Sequence, residues 1–200
     1  MLKLSLLTAV AAFAASSAFA GPAVDAKAPS FEGLASNGET ISLSQFKGKT
    51  VVLEWTNDGC PFVQKHYKTG NMQKTQKAAD AAGAVWITVI SSAPGKQGHA
   101  DAARANLITA EYGAEPDFVL LDPHGVVGKA YGAKTTPQMA LIDKDGVLRY
   151  SGAIDDKPSA NHASVEGATN YLLAALESVG SGKAVEIKET APYGCSVKYE

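Results

Sequence analysis

Residues 51–67, VVLEWTNDGCPFVQKHY, join a strand to a helix through a cysteine. Val51-Val52-Leu53 is a short β-branched apolar run that continues through Glu54 and Trp55 into the polar turn Asn57-Asp58-Gly59. Phe62 to Tyr67 is compatible with a helix, and Pro61 suits its first position, where no intrahelical N–H bond is lost. Cys60 then falls at the N-cap, where free backbone N–H groups and the helix dipole favour an anion. A thiol so placed ionises more readily than a free one, and the thiolate is the nucleophile. The plainer alternative is an inert buried cysteine, since cysteine is among the most buried residue types.

The chain has 200 residues and a formal charge of −2. Lys3, the apolar stretch Leu4 to Ala15 and Ser16-Ser17-Ala18-Phe19-Ala20 have the layout of a secretory signal peptide, residues 1–20, with cleavage near Ala20. The mature protein, one domain over 21–200, is then expected in the periplasm or outside the cell. No basic patch or run of like charge appears, which argues against nucleic acid and anionic membrane surfaces as partners. Cys60 and Cys195 both lie in the mature part, and an oxidising compartment permits a disulfide between them without requiring it.

Taken in order, the chain alternates. A hairpin is expected over 31–43 around Asn37-Gly38, with a short helical turn over 42–46. The strand at 50–56 and the Cys60 helix follow, interrupted at Gly70-Asn71 and resumed over 72–82. AVWITVI, residues 84–90, is the continuous apolar run of a strand buried on both faces. A helix over 99–112, a strand at 118–121, a helix over 125–131 and a hairpin of 138–142 with 147–150 come next. Residues 163–179 read as one amphipathic helix, and 184–188 as a further strand before the tail. This order indicates α/β layering, parallel strands first and an antiparallel edge after.

These residues resemble the thioredoxin fold over roughly 28–180, with a C-terminal tail over 183–200. An ungapped match places Cys60 on the first cysteine of the CxxC motif and Val63 on the second, so the vicinal disulfide is absent. The resemblance implies that Pro137, after Thr136, is cis and shapes a substrate groove beside the thiol. Glu54 matches a buried acidic position that serves proton transfer in thioredoxin; without a second thiol, a structural salt bridge is an equal expectation. The chain is also similar to the peroxiredoxin superfamily, but has Asn57 where those proteins carry threonine and Pro137 where they carry arginine. Without that hydroxyl and guanidinium, efficient peroxidase activity is not expected. The best match is the peroxiredoxin-like group with W-x-N-x-x-C-P-F-V-x-K-H-Y, a later T-T-P and a terminal G-C-S-x-K-aromatic. Here these read Trp55 to Tyr67, Thr135 to Pro137, and Gly194 to Tyr199.

The resemblance implies a redoxin using Cys60 as nucleophile, supported by Trp55, Asn57, Pro61, Thr136 and Glu54. Its partners would be protein or small-molecule thiols and disulfides, with peroxide as a further candidate oxidant. Neither an organic cofactor nor a metal is implied, and His66, His99, His124 and His162 show no ligand spacing. Cys195 has three open readings: a resolving thiol, a structural disulfide with Cys60 contributing roughly 4–5 kcal/mol by loop entropy, or an unpaired thiol. His66, six positions after Cys60, is expected to face away from it, at the surface or in packing rather than as a base. Asp155-Asp156 reads as a solvated turn. The alternative for the whole chain is a non-catalytic binding or scaffold protein with structural cysteines.

Overall fold

The structure, a computed structural model, describes residues 21–200; the expected signal peptide lies outside the described residues. Strands β1 (Glu32–Leu34) and β2 (Thr40–Ser42) form an antiparallel hairpin, followed by a 3-10 turn at Leu43–Phe46. Strand β3 (Val51–Trp55) leads into α1 (Pro61–Lys68) and α2 (Asn71–Ala81), with Gly70 in the left-handed conformation (φ 75°) between the helices. Then come β4 (Val85–Ile90), α3 (Ala102–Tyr112), β5 (Phe118–Leu121), α4 (Val126–Ala130), β6 (Thr135–Thr136), β7 (Gln138–Ile142) and β8 (Leu148–Gly152). Helix α5 (Tyr171–Gly180) and a two-residue strand β9 (Cys195–Ser196) complete the chain.

The central sheet has the order β5-β4-β3-β7-β8. β3 pairs in parallel with β4, and β4 with β5, whereas β7 runs antiparallel to both β3 and β8. β3 and β4 are buried along their whole length, as apolar β-branched runs in the middle of a covered sheet must be. Alternation along β3 splits the core. Val51, Leu53 and Trp55 face Phe31, Ile41, Leu120 and Tyr131. Val52, on the other face, joins Val63, Tyr67, Met72, Trp86, Leu172 and Leu176 beneath α1, α2 and α5.

Two expected elements differ. The helix expected over 163–179 is a 3-10 turn at His162–Val165 and a separate α5. Gly167 takes φ 68° between them, and Asn170 caps α5 by accepting the Leu173 N–H at 2.9 Å, which ends helix continuity. The strand expected at 184–188 is not formed. The backbone bonds of this segment to β8 are Ser151 N donating to Lys188 O and Thr190 N donating to Ser151 O, while Thr190 Oγ1 meets Tyr150 Oη at 2.7 Å and fills the space beside Gly152 where a Cβ would lie.

Glu54 is the one charged side chain in β3, and it is fully buried. Among the described residues no cation pairs with it, so the structural salt bridge expected for it is not formed there. Its carboxyl instead accepts from Tyr67 Oη at 2.8 and 2.9 Å, Trp86 Nε1 at 3.1 Å and Thr88 Oγ1 at 3.2 Å. Burial without a cation pushes Glu54 up to about 7, against the pull of these donors. Tyr67 thereby ties α1 to the sheet.

Between the ordinary value of 4.5 and about 7, the folded chain holds a Glu54 proton that the unfolded chain has released. This contribution to stability is complete below pH 4.5 and lost as pH rises through 7, a change of about 3 kcal/mol. His66, kept neutral by burial down to about pH 3, acts in the opposite sense over part of that range. Comparison with Glu54→Gln isolates the carboxyl. In urea titrations from pH 4.5 to 8, wild type should lose stability relative to Glu54→Gln by about that amount. A constant difference between the two would mean that Glu54 is ionised throughout.

Candidate active site

Cys60 is the N-cap of α1 and Pro61 its first residue, as the sequence indicates. The turn before it is built by Asn57, whose carbonyl accepts the Cys60 N–H at 3.0 Å and whose Oδ1 accepts the Gly59 N–H at 3.0 Å. Gly98 lies flush against this side chain: with φ 85°, a Cβ there would sit 2.5 Å from Asn57 Cγ. Tyr67 stacks on Tyr112 with ring centroids 4.5 Å apart, and Tyr112 Oη donates to Asp58 O at 3.3 Å. Glu54 and the cysteine turn are thus linked through two aromatic rings. Trp55 supports the site from within the core, against Tyr131 at 5.6 Å, with Nε1 donating to Ser91 Oγ at 3.2 Å.

The Thr136-Pro137 peptide is cis, as the resemblance implied. The Thr136 carbonyl accepts from the Cys60 thiol at 3.2 Å. The tail then crosses the thiol. β9 pairs antiparallel with β6, Cys195 opposite Thr136 and Ser196 opposite Thr135. Cys195 N donates to Cys60 Sγ at 3.4 Å, and Thr136 Oγ1 donates to Cys195 O at 3.4 Å. Both cysteines are free thiols, joined through the Cys195 N–H on Cys60 Sγ. Cys60 is 0 % exposed.

The two thiols titrate in opposite directions. Burial raises Cys60, but the Cys195 thiol and the N–H groups of Val63 and Cys195 outweigh it, so its pKa lies below the usual thiol value. Burial and the contact with Cys60 push Cys195 up to about 11. The first proton lost therefore comes from Cys60, while Cys195 keeps its own.

Beside the thiols lies a buried polar network. Lys65 Nζ donates to Lys157 O at 3.0 Å and Tyr193 Oη at 3.3 Å, with Asp155 Oδ2 at 3.8 Å. Tyr193 Oη also donates to Asp155 Oδ1 and meets His66 Nε2 at 3.1 Å. The solvated turn expected at Asp155-Asp156 is therefore wrong for Asp155, which is buried because Lys65 and Tyr193 partner it. His66 is not at the surface either: it packs beneath Tyr193, and burial with the Lys65 charge holds it neutral, at about 3. Beyond Cys195, Val197 N donates to Lys134 O at 2.9 Å, Ala93 N to Lys198 O at 2.8 Å, and Tyr199 Oη to Ala133 O at 2.7 Å.

Cys60, Thr136, Pro137 and Cys195 are thus brought together, Asn57 and Pro61 shape the turn, and Trp55 and Glu54 lie in the two cores below. Tyr193 was not singled out in the sequence, Asp155 was read there only as part of a turn, and Lys65 and Tyr199 entered only as motif positions. One signal for the tail was present: Tyr193, Cys195, Val197 and Tyr199 alternate with Gly194, Ser196 and Lys198, the period of a strand. The two arginines are occupied elsewhere, Arg104 with Asp58 and Glu111, Arg149 with Asp25 and Asp143.

The sequence model of the Redoxin family matches residues 23–170. The chain belongs to the Redoxin family. Its fold is similar to that of a hypothetical protein from Sinorhizobium meliloti 1021, with a TM-score of 0.76 and 23% identity over 90% of this chain and 97% of that one. A putative thiol:disulfide interchange protein DsbE from Chlorobium tepidum aligns at TM-score 0.53 and 26% identity over 64% of this redoxin and 84% of its own chain. The peroxidoxin BcpB from Mycobacterium tuberculosis aligns at TM-score 0.56 and 18% identity, covering 78% and 97%. These neighbours share the thioredoxin-like fold. Among curated proteins, none matches the sequence.

Tyr193→Phe removes the hydroxyl that joins Lys65, His66 and Asp155 to the tail. Leaving these buried groups short of a partner should weaken tail closure by about 1–3 kcal/mol. Alkylation of Cys60 by iodoacetamide, limited by opening of the tail, should then speed up roughly 5- to 150-fold at constant pH. An unchanged rate would mean that the network does not hold the cover.

Proposed function

We propose that this redoxin is a thiol–disulfide oxidoreductase acting outside the cytoplasm, with Cys60 as nucleophile and Cys195 as resolving thiol. The observation that carries this reading is the seating of Cys195 on Cys60, its amide 3.4 Å from Cys60 Sγ and its strand paired with Thr136, whose carbonyl accepts from the Cys60 thiol. The apolar leader over residues 1–20 supports the location.

In the reaction, the tail lifts and the Cys60 thiolate attacks one sulfur of a substrate disulfide. That S–S bond breaks, a mixed disulfide with Cys60 forms, and the leaving thiolate takes up a proton. When the tail returns, Cys195 loses its proton and attacks Cys60 Sγ. The mixed disulfide breaks, the substrate leaves as a thiol, and the Cys60–Cys195 disulfide remains. The substrate has gained two electrons and two protons, and an external thiol must reduce the protein again. Pro137 and Thr136 form the wall against which the attack takes place. The competing reading, a binding or scaffold protein, draws on the complete burial of Cys60. The two separate on reactivity.

Reduced protein mixed with oxidised glutathione should end as the internal disulfide without retained glutathione, read by intact mass and thiol count. Cys195→Ser should stall as the glutathione adduct on Cys60, and Cys60→Ser should form neither product. Glutathione retained equally by wild type and Cys195→Ser would remove Cys195 from the reaction. No adduct in any form would favour the scaffold.

A further inference from the structure

The segment over Cys60 is itself an extended peptide carrying a cysteine, and each of its positions is read by a different part of the protein. At Cys195 the contacts are main-chain ones, the N–H on Cys60 Sγ and the C=O on Thr136 Oγ1, with β6 alongside. Such strand addition gives affinity without regard to side chains. The two positions before it are selective.

Gly194 has φ 129°, a conformation left to glycine. A Cβ there would sit 1.9 Å from Thr136 O and 2.8 Å from its carbonyl carbon. Both are backbone atoms of β6, fixed on one side by Pro137 and the sheet strand β7. No residue with a side chain fits in this register.

Tyr193 enters a socket of charged and polar groups. Lys65 Nζ and His66 Nε2 meet its hydroxyl, Asp155 accepts from it, and Phe62 packs on the ring with centroids 5.8 Å apart. The Lys65 ammonium also sits 5.1 Å from the ring centroid. Lys65, His66 and Asp155 are all buried. Pinning a tail requires only apolar contact, whereas burying an ammonium and a carboxylate is costly unless hydrogen bonds compensate. A socket that bonds a hydroxyl disfavours a ring that lacks one, because its buried polar groups are left short of a partner.

We propose that the groove along Thr135-Thr136 is a binding site for extended protein segments of sequence Tyr-Gly-Cys, taken in the register of residues 193–195, and that the tail is its resident occupant. This rests on Cys60 being the nucleophile and names the substrate class of that site. The seated cysteine is presented as a disulfide with a second sulfur. The Cys60 thiolate attacks the peptide sulfur, the peptide's S–S bond breaks, and the second sulfur departs as a thiolate that is protonated by solvent. Lys65, His66 and Asp155 are specificity residues in this step, two positions from the reacting sulfur.

The test uses the full chain with Gly194→Val and Cys195→Ser, in which the valine expels the tail and Cys60 is the remaining thiol. A second form, Tyr199→Ala with Cys195→Ser, loosens the tail from its far end and leaves Gly194 in place. Nonapeptides copying residues 191–199, each with its cysteine joined to glutathione as a disulfide, are offered in three versions: Tyr-Gly-Cys, Phe-Gly-Cys and Tyr-Ala-Cys. The rate of peptide addition to Cys60 is followed by intact mass, with oxidised glutathione as a probe that does not need the groove. The Tyr-Gly-Cys peptide should add about tenfold faster than Phe-Gly-Cys, and on the order of a hundredfold faster than Tyr-Ala-Cys. Circular dichroism shows which forms are folded, and a folded form with this order supports the proposal. Equal rates for the three peptides, with glutathione still adding to Cys60, would overturn the groove's selectivity and leave the thiol chemistry standing. Failure of glutathione to add as well would overturn both.

Discussion

The antiparallel pairing of Cys195-Ser196 with Thr135-Thr136 is the constraint on which the site depends. Because β6 leads through Pro137 directly into β7, which pairs with β3 in the central sheet, the sheet positions the main chain at Thr136. Whatever pairs with it is held at a set distance from the first residue of the Cys60 helix. The pairing fixes the amide of Cys195 on Cys60 Sγ, and that amide is one of the groups that lower the Cys60 pKa against burial. Position and ionisation therefore have the same origin. A tail lying over the thiol without the pairing would bury it and raise its pKa.

The cost of this arrangement lies in buried polar groups. Glu54 sits in the sheet with hydrogen-bond donors but no cation, and Lys65 lies fully buried at 3.8 Å from Asp155. Neither is an economical way to stabilise a core. Both bear on the cysteine turn. Glu54 holds Tyr67, which stacks on Tyr112, which holds Asp58 O. Lys65, His66 and Asp155 hold Tyr193, two residues from Cys195. Polar bonds of this kind have defined directions, so they fix orientation more tightly than apolar packing of the same area does.

Much of the frame was legible in the sequence because it follows from local patterns. Val51-Val52-Leu53 and AVWITVI can only be central strands, Pro61 marks a helix start, and Thr136-Pro137 before a hairpin marked the groove. What could not be read depended on contacts distant in sequence. Asp155 looked like half of a polar turn because its partners, Lys65 and Tyr193, lie 90 and 38 positions away. His66 was expected at the surface or in packing, and its burial follows from Tyr193 of the tail lying against it. The long helix expected over 163–179 failed for a local reason, since amphipathic spacing continued past Gly167 while the backbone did not. Glu54 attracted a salt-bridge reading because sequence shows a charge and not its protonation state.

Complete burial of Cys60 is not in conflict with the nucleophilic role proposed for it; it divides reactivity into two factors. One is the population of chains with the tail lifted, set by Tyr193 at one end and Tyr199 at the other. The second is the intrinsic nucleophilicity of the thiolate once exposed, set by the α1 N-terminus. Lifting the tail removes the Cys195 amide from Cys60 but leaves the N-terminus of α1, so part of the anion stabilisation survives opening. In the proposed reaction, a seated substrate with the same backbone register would restore the missing amide. The thiolate would then be best stabilised when a cysteine, from the tail or from a substrate, lies against Thr136, so the groove would favour ionised Cys60 at the moment a sulfur to attack is present.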